Sequence, residues 1–345
     1  MAKQLLEIQA KRSQAIGISF IKDSIWQQEF EEGFEFEETA DQKKAILEVK
    51  QDMQSKRVMD RVICGDVGYG KTEIAMRAAF KAIESGYQVV LLAPTTILAN
   101  QHYERFCKRF ENYPINIQVF SRMSTTTKDT SKADLIIGTH KILGNDFEFP
   151  NLGLLIIDEE QKFGVKAKEI IKNKKNNIDV LTLTATPIPR TLNLTLLGIR
   201  DISIISTPPA YRMPIKTEII TNIEERKLKK IILQELSRDG QVFYVSNDVA
   251  NMPKKSEELQ SILPDFVKVD YIHGKLPSKE IKRKINEFIS EEFQVLLCST
   301  IIENGIDISN ANTIIIENFN KLGLSQIYQF RGRVGRSNRK AYCYL

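Results

Sequence analysis

Residues Gly65 to Thr72 read GDVGYGKT, which matches the phosphate-binding pattern GxxxxGK[ST]. In this pattern backbone N–H groups curl around phosphate oxygens, the lysine reaches the outer phosphates, and the threonine hydroxyl can hold Mg²⁺ at a helix N-terminus. An apolar run precedes the segment and a helical pattern follows it, a context that disfavours an ordinary glycine-rich turn. The pattern therefore predicts a nucleotide-phosphate site at Gly65, Asp66, Val67, Gly68, Tyr69, Gly70, Lys71 and Thr72.

A second candidate is the acidic segment DEEQ, which begins at Asp158 directly after the apolar run LLII. Open α/β sheets bind their ligands at the carboxyl ends of the strands. In a nucleotide hydrolase Asp158 would hold Mg²⁺ together with Thr72, while Glu159 would orient and deprotonate the attacking water. Alone, the segment could be an acidic surface turn, but beside the phosphate-binding pattern it predicts a hydrolytic site that includes Lys71.

Positive charge for the transition state could come from the segment QFRGRVGR, which contains Gln329, Arg333 and Arg336. These residues lie in the second half of the chain, so they would reach a nucleotide only when two domains close over it. Such closure would couple hydrolysis to motion. The alternative interpretation is a basic patch that faces solvent or nucleic acid.

Phe36 and Gln42 are spaced so that the ring could stack on adenine and the amide could read its Watson–Crick edge. Thr39 between them also fits the N-cap of a helix that runs to about Met53, and both interpretations can hold together.

Hydroxyls, backbone N–H groups and a lysine that directly follow predicted strands could bind a phosphodiester backbone without reading its sequence. Each of them could equally belong to a capping turn. These candidate DNA contacts are Thr95, Thr96, Gln101, His102, Gly138, Thr139, His140, Lys141 and Thr300.

Several elements must position these groups. From about residue 39 short apolar runs alternate with helical patterns, which predicts parallel sheets covered by helices on both faces. The proline-rich segment STPPAYRMP interrupts the series, so we expect two α/β domains. The predicted organisation is a helical lead-in at residues 1–38, a first domain at 39–207, a linker at 208–216 and a second domain at 217–345.

Composition agrees with this organisation. The 345 residues are 42% apolar and 27% charged, with a formal net charge of +5, as in ordinary globular proteins. No apolar run approaches the roughly 18 residues that cross a bilayer, and the N-terminus carries charges where a signal peptide is apolar. We expect a cytoplasmic monomer without a membrane partner. The four cysteines form no CxxC pair, which predicts reduced thiols rather than disulfides or a zinc site.

Together the motifs resemble those of superfamily 2 helicases and translocases over nearly the whole chain. The segments that carry the resemblance are Phe36 to Gln42 (the Q motif), GDVGYGKT (I), PTTILANQH (Ia), GTHKIL (Ib), DEEQ (II), TAT at 184–186 (III), QVFYVSN (IV), STIIENGID (V) and QFRGRVGR (VI). The resemblance implies two tandem RecA-like domains, ATP and Mg²⁺ as ligands, and double-stranded DNA as a partner. It also implies that Gly305 and Asp307 couple the domains around the nucleotide and that Arg333 and Arg336 act as arginine fingers.

Within that superfamily TATPIPRTL resembles the branch that contains transcription-repair coupling factor and RecG, and DEEQKFGV is more similar to the coupling factor. The resemblance implies an ATP-driven translocase that removes stalled RNA polymerase and recruits nucleotide-excision repair proteins, through domains that are not among these residues. We therefore expect a motor portion truncated at both ends. The alternatives are a RecG-like fork-remodelling helicase and a truncated nucleotide-binding remnant without productive translocation.

Overall fold

The chain divides into two units, Met1–Pro209 and Ala210–Leu345, so the division falls inside the segment predicted as a linker. The computed structural model describes residues 17–120, 130–144, 147–163, 178–185, 200–210, 213–220, 224–299, 308, 310–335 and 339–345. Each unit contains a parallel sheet with accompanying helices, which confirms the predicted fold class of tandem RecA-like domains.

The first unit has a seven-stranded parallel sheet in the order β3-β4-β2-β5-β6-β1-β7. Its strands are β1 (Asp60–Gly65), β2 (Gln88–Leu92), β3 (Ile117–Phe120), β4 (Leu135–Gly138), β5 (Leu152–Asp158), β6 (Asp179–Thr184) and β7 (Asp201–Ile205). Its helices are α1 (Ile25–Glu32), α2 (Ala40–Gln54), α3 (Lys71–Glu84) and α4 (Thr96–Arg109), with single 3₁₀ turns at His140–Leu143 and Glu160–Lys162.

Both faces of this sheet are buried. Side chains of β2 alternate between two apolar clusters, with Val89 and Leu91 in one and Val90 and Leu92 in the other. A strand covered on both sides has no solvent face, which explains why β2 reads as a continuous apolar run in the sequence. Since all the strands are parallel, the residues that follow β1, β2, β4, β5 and β6 lie at the same edge of the sheet.

The second unit has a six-stranded parallel sheet in the order β10-β11-β9-β12-β13-β8. Its strands are β8 (Lys216–Glu218), β9 (Gln241–Val245), β10 (Val269–Ile272), β11 (Val295–Cys298), β12 (Ala311–Ile316) and β13 (Tyr342–Tyr344). Its helices are α5 (Glu225–Leu236), α6 (Met252–Ile262), α7 (Ser278–Ile289) and α8 (Leu324–Arg331), with a 3₁₀ turn at Phe319–Lys321.

Helix α2 begins where the sequence predicts it. The Thr39 hydroxyl accepts from the backbone N–H of Gln42, and the Gln42 side chain accepts from the backbone N–H of Thr39 at 2.8 Å. This reciprocal capping box satisfies two N–H groups that a helix start otherwise leaves open.

Helix α1 packs on α3 through aromatic rings. The ring of Phe30 is fully buried and stacks on that of Phe80, with centroids 4.4 Å apart and planes 10° apart. Phe110 lies edge-on to Phe30 at 5.1 Å and to Phe80 at 5.9 Å. The residues before position 39 thus contribute directly to the core of the first unit.

Helix α3 also carries two cations into the protein interior. The side chain of Lys81 is 1% exposed, and its Nζ lies 2.7 Å from Asp23 Oδ1. Arg77 is 5% exposed and donates to Glu38 at 2.7 Å and Glu73 at 3.0 Å. Burial alone would raise the pKa of Asp23, but hydrogen bonds from Lys50 and Lys81 lower it below its ordinary value. The segment before α2 therefore neutralises charges that α3 could not bury alone.

We predict that Asp23→Asn lowers the free energy of unfolding of the first unit by about 2 kcal/mol, because it leaves the buried Lys81 ammonium without a counter-charge. Lys44, whose side chain is 76% exposed and lies 4.0 Å from Glu48, provides the control, since Lys44→Ala should change stability by no more than about 0.5 kcal/mol. Trp26 is the single tryptophan of the chain, so its fluorescence during urea unfolding reports on this unit. Equal midpoints for the two variants would contradict the prediction.

Candidate nucleotide-binding site

The predicted phosphate loop joins β1 to α3. Gly65 is the last residue of β1, Lys71 is the first of α3, and Thr72 follows it in the first turn. Gly68 and Gly70 have φ angles of 81° and 80°, in the left-handed region that favours glycine. Because the helix cap is a glycine, no side chain satisfies the first N–H groups of α3. The loop therefore offers backbone donors at a helix N-terminus, which suits a phosphate group.

Lys71 lies over this loop. Its Nζ donates to the carbonyl oxygens of Gly65 at 2.6 Å and Asp66 at 2.9 Å. Burial lowers the pKa of the Lys71 ammonium below its ordinary value, although the nearby carboxylates of Glu159 and Asp158 oppose that shift. The largest of the charges that raise this pKa are the two carboxylates predicted to run hydrolysis. Because β1 and β5 both pair with β6 in parallel, the two sequence motifs lie at the same edge of the sheet.

Gln42 connects α2 to the phosphate loop. Its Nε2 donates to the Tyr69 carbonyl at 3.0 Å, and a Cβ added to Gly70 would lie 2.3 Å from the same nitrogen. Any larger residue at Gly70 would therefore displace the amide. Phe36 is 45% exposed and lies edge-on to Phe34 at 5.6 Å. Recognition of adenine by Phe36 and Gln42 stays a prediction.

The acidic segment lies at the carboxyl end of β5. Asp158 is the last residue of the strand, and Glu159 has a φ of 50°, an uncommon left-handed conformation for a residue with a side chain. Its backbone N–H donates to the Leu183 carbonyl of β6 at 2.9 Å, and Gln161 donates to its carboxylate. Such a conformation costs on the order of 1–3 kcal/mol and persists only where its surroundings enforce it. The backbone position of Glu159 therefore depends on β6 as well as on β5.

His102 of α4 lies against Asp158. Its Nε2 is 2.9 Å from Asp158 Oδ2, and the side chain is 3% exposed. We predicted from the sequence that His102 contacts DNA. The structure places its imidazole inside the domain, beside the carboxylate predicted to hold Mg²⁺, rather than on a surface that DNA could reach.

The third residue of the acidic segment, Glu160, joins an ionic cluster beneath the site. Arg200 donates to Asp60 Oδ1 and to Glu160 Oε2, both at 2.8 Å, and to the Thr182 hydroxyl at 2.5 Å. Burial alone would lower the pKa of the Arg200 guanidinium, but the charges of Asp60 and Glu160 raise it above its ordinary value. The cluster ties the 3₁₀ turn after Asp158 to β1 and β6. Sequence reasoning missed Arg200, and no local pattern indicates its partners.

The other DNA contacts predicted in the first unit lie at or after the same edge of its sheet. The Thr95 hydroxyl caps α4 by accepting from the Leu98 N–H at 3.3 Å, and Thr96 and Gln101 lie within that helix. Gly138 ends β4, Thr139 is buried, and His140 and Lys141 are exposed on the 3₁₀ turn that follows. Contact between these residues and DNA stays a prediction.

In the second unit Gln329 lies in α8 and Arg333 follows that helix, and both side chains are buried. Thr300, Gly305, Asp307 and Arg336 lie outside the described residues.

The residues at this edge include donor groups of the kinds that bind a divalent cation and phosphate. Hard oxygen donors for a divalent cation are available from Thr72 and Asp158, while the glycine-capped helix start and Lys71 suit phosphate. Among the described residues no group of three or more His, Cys, Asp or Glu side chains could hold a metal ion.

We predict that Arg200→Lys lowers the free energy of unfolding of the first unit by about 2 kcal/mol. The guanidinium reaches three acceptors with three separate nitrogens, and the single Nζ of lysine cannot reach all three. Arg57 is exposed, so Arg57→Lys, a matched control, should change stability by less than about 0.5 kcal/mol. Urea titration followed by Trp26 fluorescence would compare the two. A midpoint for Arg200→Lys within error of the Arg57→Lys value would refute the structural role.

Two family models match this chain. Residues 39–195 match the DEAD/DEAH box helicase model, and residues 224–338 match the helicase conserved C-terminal domain. Together they span the two units described above, and both imply nucleotide binding. Among the described residues no helix is long and apolar enough to cross a membrane.

Similar proteins indicate which helicases this chain resembles in sequence over its whole length. The transcription-repair-coupling factor of Staphylococcus epidermidis (strain ATCC 35984) is 48% identical over 353 residues, covering 100% of this chain and 30% of that protein. The corresponding protein of Staphylococcus aureus (strain USA300) is 49% identical with the same coverage. The chain thus spans about 30% of the length of these relatives.

A solved structure points to the same branch. RecG bound to a three-way DNA junction superposes with a TM-score of 0.81 and 33% identity, covering 99% of this chain and 48% of that one. Fold, motif order and these similarities agree. The chain therefore belongs to the superfamily 2 helicases and translocases, in the branch that contains transcription-repair-coupling factor and RecG.

Proposed function

We propose that this chain is the ATP-hydrolysing motor of a double-stranded DNA translocase of the coupling-factor type. The observation that carries the proposal is that the phosphate loop with Lys71 follows β1 and that Asp158 ends β5 with Glu159 directly after it, so that both motifs lie at the same edge of the first sheet. The near-half identity to coupling factors over the full chain supports the same assignment.

ATP is the substrate, and each residue has a role that follows from its position. The phosphate loop and the start of α3 bind the phosphates through backbone N–H groups. Lys71 places a positive charge at the outer phosphates, and Glu159 orients the attacking water and accepts its proton. Thr72 and Asp158 hold Mg²⁺, which neutralises charge on the phosphates when it is bound. Phe36 and Gln42 recognise the base.

Motion is coupled to this chemistry through the second unit. Arg333 and Arg336 supply positive charge to the transition state when the domains close, while Gln329, Gly305 and Asp307 contribute to the closed site. The candidate DNA contacts Thr95, Thr96, Gln101, Gly138, Thr139, His140, Lys141 and Thr300 hold the duplex backbone. In the whole protein this motor acts on stalled RNA polymerase and works with nucleotide-excision repair proteins in the cytoplasm.

A second candidate function is fork remodelling of the RecG type. The superposition on RecG at a TM-score of 0.81 favours it, although the 33% identity is lower than the identity to the coupling factors. The two functions differ in the DNA that should stimulate hydrolysis, since a fork remodeller prefers branched DNA and a coupling-factor motor acts on linear duplex. A nucleotide-binding remnant would show no stimulation by either.

We predict that linear duplex DNA stimulates steady-state ATP hydrolysis by this chain at least tenfold, and that a three-way junction of equal length adds little. Glu159→Gln removes the general base and should lower turnover by about 10² to 10⁴-fold, which makes it the blank. Lys71→Ala should abolish turnover as well. ATP binding without turnover above the blank would indicate a remnant, and stimulation confined to the junction would favour fork remodelling.

We predict that Arg336→Ala slows duplex-stimulated turnover by about 10³-fold while ATP affinity changes little, because a finger acts on transition-state charge. Arg226→Ala makes the same charge change at an exposed position of α5 and should retain turnover. Binding of a fluorescent ATP analogue, measured beside turnover, separates the two effects. A large loss of affinity in Arg336→Ala would assign that arginine to ground-state binding instead.

A further inference from the structure

The buried residues of α4 form one stripe that faces the domain interior, and His102 is the polar member of it. The stripe consists of Leu98, Ala99, His102 and Phe106. An apolar side chain at position 102 could pack there without a hydrogen bond. Phe106 packs in this way beside the imidazole, with ring centroids 6.5 Å apart. A polar ring in such a place needs a polar partner. That partner is Asp158, at 2.9 Å.

The hydrogen bond determines the chemical form of the imidazole. An ionised carboxylate only accepts, so Nε2 must carry the proton that it donates to Asp158. Nδ1 is buried and has no hydrogen-bond partner among the described residues. A hydrogen on Nδ1 would be a buried donor without an acceptor among the described residues, so the geometry places the donated hydrogen on Nε2.

Helix α4 links this contact to a predicted DNA-binding segment. Thr95 caps the helix, and His102 lies seven residues further, about 10 Å along the axis at 1.5 Å per residue. A force on Thr95 or Thr96 would move the helix as a rigid body and displace the imidazole relative to Asp158.

We propose that His102 is a positioning residue that holds the Asp158 carboxylate and makes its placement depend on α4, so that duplex DNA at the start of α4 regulates ATP hydrolysis. The inference rests on the proposed function, because it assigns a regulatory input to the same nucleotide site. Preorganised carboxylates contribute to catalysis only while they are held in place, so a small shift of α4 alters the turnover rate more than nucleotide affinity.

Three variants test this role. His102→Ala removes the contact, His102→Gln keeps an N–H donor at a similar reach, and Leu98→Ala removes a buried side chain from the same stripe without touching Asp158. Thermal unfolding of each variant shows whether it is folded. We expect the duplex-stimulated kcat of His102→Ala to fall at least tenfold, while its KM for ATP changes less than twofold. His102→Gln should recover most of the loss, and Leu98→Ala should retain stimulation.

Two measurements do not depend on turnover. In the nucleotide-free protein, long-range ¹H–¹⁵N spectra should show hydrogen on Nε2 of His102, whose signal is identified because it disappears in His102→Gln; the chain has only 3 histidines, which simplifies assignment. Mg²⁺ should increase the affinity for a fluorescent ATP analogue less in His102→Ala than in the unmodified protein.

The outcomes separate the two proposals. An unmodified chain whose hydrolysis ignores duplex DNA refutes the proposed function, and with it the regulatory input. If the unmodified chain is stimulated and His102→Ala behaves identically in turnover and Mg²⁺-dependent binding, the inference about His102 is overturned. Loss of stimulation in Leu98→Ala equal to that in His102→Ala would also overturn it, because packing alone would then explain the effect.

Discussion

The first unit depends on how the buried charges of α3 are neutralised. This helix starts at the phosphate loop and runs through the interior, where Arg77 and Lys81 are almost without solvent contact. Buried cations are tolerated only with well-placed counter-charges, and Asp23 and Glu38 supply them from the segment before α2. The helix that begins with Lys71 and Thr72 is therefore held in place by residues that lie far from the phosphate loop in the sequence.

The parallel sheet beside that helix brings the candidate site residues to one edge. Strand ends from β1, β2, β4 and β5 carry the phosphate loop, α4, the exposed 3₁₀ turn and the acidic segment. Glu159 adopts a left-handed backbone between β5 and β6, and Arg200 anchors the turn that follows. Groups held by several elements keep their geometry when any one element moves slightly, whereas we propose that the hydrogen bond between His102 and Asp158 transmits the movement of α4.

The inner strands and the phosphate-binding pattern can be recognised in the sequence because both signals are local. Strand β2 has no solvent face, so its residues are continuously apolar, and the phosphate loop is one uninterrupted segment. The edge strands β3 and β7 are harder to recognise in the sequence because they are only partly covered and their composition is mixed. The contacts of His102 with Asp158 and of Arg200 with Glu160 join residues 56 and 40 positions apart, a distance at which one sequence carries no pairing signal.

The four cysteines are free thiols, and their surroundings differ in a way that has a practical consequence. Cys64, Cys298 and Cys343 are buried, and burial raises the pKa of all three thiols, that of Cys343 to about 12. These three thiols therefore stay protonated and shielded at neutral pH. Only the thiolate form of a cysteine reacts readily. Cys107 is half-buried and lies on α4, five residues beyond His102. A maleimide dye added to the unmodified protein would therefore attach first to the helix that we infer to move.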